Sequence, residues 1–130
     1  MIDPAHPYAS WYLWVMGVVF VAGFGLPMLL MPLRWASWFR WRLPADSDLA
    51  VYFGRCLGGV ALALSVGWMR AAPDLEGHLV VLEITIAAGL LMTVVHTWGA
   101  LARRQPASET AEIPMYAALT LVTFLIYRSL

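Results

Sequence analysis

The sequence contains no lysine and no asparagine, and all eight of its basic residues are arginine. Because both missing residues are encoded by A-rich codons, their absence suggests a GC-rich genome and a bacterial origin. Charged residues are also scarce, at 12% of the chain against 62% apolar residues, which is far from the composition of a soluble domain. We therefore expect an integral protein of the bacterial inner (plasma) membrane.

Several kinds of chemistry are excluded by what is missing. Cys56 is the only cysteine, so an internal disulfide or a cysteine metal cluster cannot form. His78 and His96 lie too far apart on one predicted helix to ligate a single haem, and His6 precedes the first apolar stretch. The sequence has no paired-carboxylate motif, no glycine-rich phosphate loop and no serine or cysteine beside a histidine. We expect no metal, no cofactor and no enzymatic activity.

Four apolar stretches are long enough to cross, as helices, a hydrocarbon layer about 30 Å thick. They predict an all-α polytopic membrane protein, with four transmembrane helices in an antiparallel bundle and a single transmembrane domain over residues 1–130. Pro27 lacks an amide proton, so it should kink the first span or end it early. The predicted spans cover residues 11–31, 49–70, 78–101 and 111–127.

Residues 33–44 interleave arginine with large aromatic side chains. Such a mixture suits the membrane interface, where the rings lie among acyl carbonyls and the guanidinium groups reach phosphates. We predict a loop on the membrane surface, and because the segment adjoins a span we do not expect it to bind nucleic acid. The predicted interface residues are Arg34, Trp35, Trp38, Arg40, Trp41 and Arg42.

Small residues recur along one face of the second predicted span at positions i, i+4, i+7 and i+11. In lipid, helices associate largely through such small residues because they let two backbones approach closely. The second span is therefore the expected centre of helix packing, through Gly54, Gly58, Ala61 and Ser65. The same spacing puts polar side chains on one inward face of the fourth span, namely Tyr116, Thr120, Thr123 and Tyr127.

The distribution of arginine predicts the orientation of the chain. The loops after the first and third spans contain five arginines, whereas the opposite side has only Arg70 and Arg128. Because cytoplasmic loops are enriched in arginine and lysine, residues 33–48 and 102–110 should be cytoplasmic and both termini outside.

Arg55, His96 and Tyr116 come from three different spans but share one depth in that orientation. An arginine in hydrocarbon costs about 3 kcal/mol on insertion scales unless it reaches headgroups or a partner. A phenolic oxygen and an imidazole nitrogen can accept its hydrogen bonds, and an anion such as a lipid phosphate or a partner's carboxylate can complete the set. We predict a ligand- or partner-binding site at these three residues. The alternative is that Arg55 reaches the lipid phosphates alone.

Glu83 lies about one turn into the third span, near the depth of Arg70. We predict an intramembrane ion pair between the two side chains. The alternative is that Glu83 carries protons, as lone membrane carboxylates do in proton-coupled carriers.

The second and third spans, with their short turn, carry a sparse motif. Its residues are Arg55, Gly58, Leu62, Ser65, Val66, Asp74 and His96. The motif resembles that of the ergosterol-biosynthesis scaffold family of small four-span membrane proteins, although Gly59 and Val60 stand where that family is bulkier. The resemblance implies a non-catalytic protein that tethers partner proteins.

Two functions follow from these features. The first is a non-catalytic accessory or scaffold protein that binds lipid, another membrane protein or a second copy of itself. The alternative is a small homo-oligomeric carrier or channel that uses Glu83 or the Arg55 cluster, defined as Arg55, His96 and Tyr116.

Overall fold

The computed structural model describes residues 1–130, and its regular secondary structure is all helical, without a strand. The all-α fold with four helices able to cross a membrane is confirmed. These spans are Pro7–Leu30, Asp48–Ala71, Glu76–Leu101 and Ala107–Ser129, numbered one to four below. The chain divides into two compact units, Met1–Gly77 and His78–Leu130, each built around a pair of spans.

Span one changes its backbone hydrogen bonding just before Pro27. Pro7–Phe20 and Leu26–Leu30 are α-helical, and Val21–Gly25 between them forms a single π-helical turn. Because Pro27 has no amide proton, the Gly23 carbonyl has no backbone donor four residues further on. The span nevertheless continues past the proline to Leu30 and does not end early.

A tryptophan from the next segment supplies a donor to that carbonyl. The indole Nε1 of Trp35 donates a hydrogen bond to the Gly23 oxygen at 2.9 Å. The Trp35 ring also contacts Phe24 edge-on at 5.0 Å and stacks on Phe39 at 4.4 Å between centroids. Trp35 is therefore buried, whereas the other five predicted interface residues are exposed.

The prediction of a loop over residues 33–44 is wrong for the first half of that segment, because Pro32–Trp38 forms a short α-helix. Pro32 lies in the first turn, where its fixed φ is suited to a helix and its missing amide proton is not needed. The helix ends at Trp38, and Arg40 in the turn that follows has a left-handed φ of 63°. Arg34 lies 5.9 Å from the centre of the Trp38 ring, a cation–π contact on the exposed side.

Span two runs antiparallel to span one and contacts it through small residues. Gly58 packs where a Cβ would lie 2.5 Å from the Leu29 nitrogen and 2.9 Å from the Gly25 oxygen. Gly17 faces Ser65 and Met69 at the other end of the pair. The buried residues of span two are Gly54, Gly58, Ala61, Ser65, Trp68 and Ala71, which include all four residues of the predicted small stripe.

The N-terminal segment is joined to the turn after span two by Asp3. Its carboxylate accepts hydrogen bonds from the backbone N–H groups of Leu75 at 3.1 Å, Ala5 at 2.9 Å and His6 at 3.3 Å. These donors, the Leu75 amide foremost, hold the pKa of the Asp3 carboxyl below its ordinary value. Burial of Asp3 opposes this shift but does not reverse it.

Spans three and four form the second hairpin, also antiparallel. The Tyr127 hydroxyl donates to a Glu83 carboxylate oxygen at 2.9 Å, and Gly89 faces Thr120 further along. Thr120 and Thr123 are buried, and each hydroxyl donates to the carbonyl four residues earlier in its own helix at 2.8 Å. Span four begins at Ala107, earlier than the sequence predicts, after an extended Pro106.

We expect Gly58→Leu to destabilise the first hairpin by about 2–3 kcal/mol, since the added side chain meets backbone atoms that cannot move aside. Gly59→Leu is the matched control, because a Cβ at Gly59 has no neighbour within 4 Å. Thermal unfolding in detergent, followed by circular dichroism, measures both. Equal unfolding temperatures for the two variants would contradict close backbone packing at Gly58.

The lowered pKa of Asp3 predicts a pH-dependent contribution to stability. Because the folded-state pKa lies below the unfolded one, the stabilisation is present above about pH 4 and lost as pH falls through the folded value. When unfolding by urea is measured from pH 7 to pH 2, the free energy of unfolding of wild type should therefore approach that of Asp3→Asn at the acid end. A constant difference between the two proteins over this range would be inconsistent with the Asp3 hydrogen bonds.

Candidate functional site

Two of the three residues in the predicted Arg55 cluster meet in the second unit. The His96 and Tyr116 rings lie 4.8 Å apart between centroids. Arg55 belongs to the first unit, where its side chain is exposed on span two. A site that also includes Arg55 stays a prediction.

The predicted ion pair likewise joins residues of different units. Arg70 is exposed at the end of span two in the first unit. Glu83, in the second unit, accepts the hydrogen bond of the Tyr127 hydroxyl. Pairing between Arg70 and Glu83 stays a prediction.

Two glutamates outside the predicted site surround His96. The Oε2 atom of Glu109 lies 3.3 Å from His96 Nε2, and the Oε2 atom of Glu112 lies 3.9 Å from it. The side chains of His96, Glu109 and Glu112 are only 7%, 10% and 22% exposed, so the three groups interact largely out of solvent. Together with Tyr116 they are called the histidine–glutamate cluster.

The turn between spans three and four brings these residues together. Glu109 and Glu112 are three residues apart at the start of span four, so both face the end of span three. The Gln105 amide closes the turn by donating to the His96 carbonyl at 2.9 Å and to the Thr110 hydroxyl at 3.1 Å. Gly99 lies against the Gln105 side chain, where a larger residue would obstruct it.

The tautomer of His96 follows from its second hydrogen bond. Its Nδ1 atom lies 2.8 Å from the Met92 carbonyl oxygen, which can only accept, so Nδ1 carries a proton. The Nε2 atom then faces carboxylate oxygens. In a neutral ring this nitrogen offers a lone pair, which repels those oxygens. A cation is needed between them, either a proton or a metal ion.

Tyr116 adds an aromatic wall and a hydrogen bond. Its hydroxyl is hydrogen-bonded to the Glu112 carboxylate, and its ring is tilted by 45° against His96. Because the hydroxyl can donate to an ionised carboxylate, it both orients Glu112 and stabilises its charge. The cluster is thus an acidic site with one imidazole and one phenol.

Three atoms of the cluster are placed to hold an ion. His96 Nε2 and one oxygen each from Glu109 and Glu112 lie within 4.8 Å of one another. Imidazole and carboxylate are both common ligands of divalent metals. The sequence analysis predicts no metal ligand, and it does not place Glu109 or Glu112 among the site residues.

A signal for these glutamates is present in the sequence. His96 and Glu112 are about equally far from the turn at Arg104, so an antiparallel hairpin brings them to one level. Glu109 precedes Glu112 by three residues and shares its helix face once the helix begins at Ala107. The sequence predicts that span four begins at residue 111, which leaves Glu109 in the loop and so misses this relation.

Comparison with protein-family models, curated proteins and solved structures gives no match to this chain. The function of the cluster is therefore inferred from its own geometry and chemistry.

We expect Tyr116→Phe to cost about 1–2 kcal/mol of stability, because it leaves the Glu112 carboxylate without its hydroxyl donor in a poorly solvated place. Tyr127→Phe makes the same chemical change at an exposed hydrogen bond to Glu83, so its effect on stability should be clearly smaller. Thermal unfolding of both variants in one detergent at pH 7 measures the difference. Equal losses would mean that Tyr116 does not support the cluster.

Proposed function

We propose that this chain is a non-catalytic accessory or scaffold protein of the bacterial inner membrane, and that it binds another membrane protein through the outward faces of its spans. One observation carries the proposal. The buried side-chain nitrogen and oxygen atoms all have hydrogen-bond partners, whereas large apolar side chains cover the outer faces. The buried polar groups thus serve the interior of each hairpin, and large apolar side chains make up much of the surface left for recognition.

The outer faces are suited to helix association in lipid. Val60 on span two is 65% exposed, and Leu91 on span three is also 65% exposed. Because lipid tails are as apolar as these side chains, binding to another helix depends on shape and close packing, not on hydrophobicity alone. The resemblance to the ergosterol-biosynthesis scaffold family supports the same tethering role.

The arginine distribution supports an orientation with residues 33–48 and 102–110 in the cytoplasm and both termini outside. The exposed arginines and tryptophans of residues 34–42 are then available to anionic lipid of the cytoplasmic leaflet. Labelling from outside of a cysteine placed at Ser37, in a Cys56→Ala background, would contradict this orientation.

The second candidate is a small homo-oligomeric carrier or channel. Glu83 favours it, because its side chain is exposed on span three while its carboxylate is held by Tyr127. A carboxylate on an outward helix face is costly in hydrocarbon, and a second copy of the chain could enclose it in a polar path. The Arg55 cluster is the other candidate lining for such a path.

Site-specific photocrosslinking distinguishes the two candidates. A photoreactive residue at Val60 or Leu91 in living cells should give a crosslink to a different, larger membrane protein. The matched control is the same variant purified and reconstituted alone in lipid vesicles, where no crosslinked species should form. A crosslinked homodimer both in cells and in vesicles would contradict the accessory role, and its loss in Glu83→Gln would support the carrier.

A further inference from the structure

We propose that the histidine–glutamate cluster is a binding site for a divalent transition-metal ion. The ligands are the Nε2 atom of His96 and carboxylate oxygens of Glu109 and Glu112. This inference goes beyond the accessory role and does not depend on it.

The orientation of the imidazole is the first observation that carries the inference. The Nδ1–H group of His96 donates to the Met92 carbonyl at 2.8 Å, which leaves the Nε2 atom facing two carboxylates. Metal-binding histidines commonly donate their other ring N–H to a carbonyl or carboxylate in this way, which fixes the tautomer that binds the ion. Without a cation, a lone pair would face anionic oxygens.

The distances between the ligand atoms are the second observation. Two ligands that each lie about 2.1 Å from one ion can be at most about 4.2 Å apart. The His96–Glu109 and His96–Glu112 separations of 3.3 and 3.9 Å already satisfy this limit. The separation between the two glutamate oxygens is no more than 4.8 Å, slightly above this limit, so ion binding would draw the two carboxylates closer together.

Charge favours a divalent ion over a proton. When both carboxylates are ionised, the three ligands carry two negative charges in a poorly solvated place. A proton on His96 neutralises one of them, whereas a divalent ion neutralises both. The Tyr116 hydroxyl, bonded to Glu112, orients one ligand from outside the coordination sphere.

The donor set selects the class of metal. One imidazole nitrogen and two carboxylates suit Zn²⁺, Mn²⁺, Fe²⁺ or Co²⁺, whereas copper(I) prefers sulfur ligands and Ca²⁺ and Mg²⁺ prefer oxygen alone. The Glu112 side chain is 22% exposed, so one ligand of the ion reaches the protein surface. Three protein ligands leave at least one coordination position open for water or for a partner's side chain.

The test is a titration of the full-length protein in detergent at pH 7, after treatment with EDTA. Isothermal calorimetry with Zn²⁺ should show one ion bound per chain, Co²⁺ should give visible absorption bands from the bound ion, and Mg²⁺ should not compete. His96→Gln and Glu109→Gln should each weaken Zn²⁺ binding at least tenfold. Glu83→Gln, a matched change at the other end of span three, should leave binding unchanged.

His6 needs its own control because its Nε2 atom lies 3.5 Å from Glu76 in the first unit. His6→Gln should bind Zn²⁺ as wild type does. Circular dichroism confirms that each glutamine variant is folded before it is titrated. No binding by folded wild type, or binding unchanged by His96→Gln and Glu109→Gln, would overturn the proposal.

Discussion

The structure depends on one constraint, that polar groups withdrawn from water must find partners within the protein. In span one, Pro27 has no amide proton to donate to the Gly23 carbonyl, and the Trp35 indole donates to that carbonyl instead. The threonines of span four meet the constraint by donating to carbonyls of their own helix. The same constraint acts at His96, where a ring nitrogen and two carboxylates face one another.

The spans and their small-residue contacts could be predicted because both depend on local periodicity. Length and apolar composition are enough to identify a membrane helix, and a stripe such as Gly54 to Ser65 repeats every turn. The helix at Pro32–Trp38 could not be predicted in this way. Its anchor is a hydrogen bond from Trp35 to a carbonyl twelve residues earlier, a contact that no local pattern encodes.

The candidate site was predictable only in part for a similar reason. Equal depth in the membrane predicts that His96 and Tyr116 lie near each other, because the depth of a residue follows from the span boundaries alone. Glu109 joins them only if span four begins at Ala107, so an error of four residues at one helix start hides a ligand. The start of a helix thus decides whether a charged side chain at its end faces the neighbouring helix, as Glu109 does here.

Two polar contacts near opposite ends of the second hairpin depend on the register of its helices. The Tyr127 hydroxyl donates to Glu83 at one end, and His96 faces Glu109 and Glu112 at the other. Sliding one helix by a single turn, about 5.4 Å, would separate both pairs at once. One register of the helices therefore serves both ends, so a change that shifts the helices at one end would also break the contact at the other.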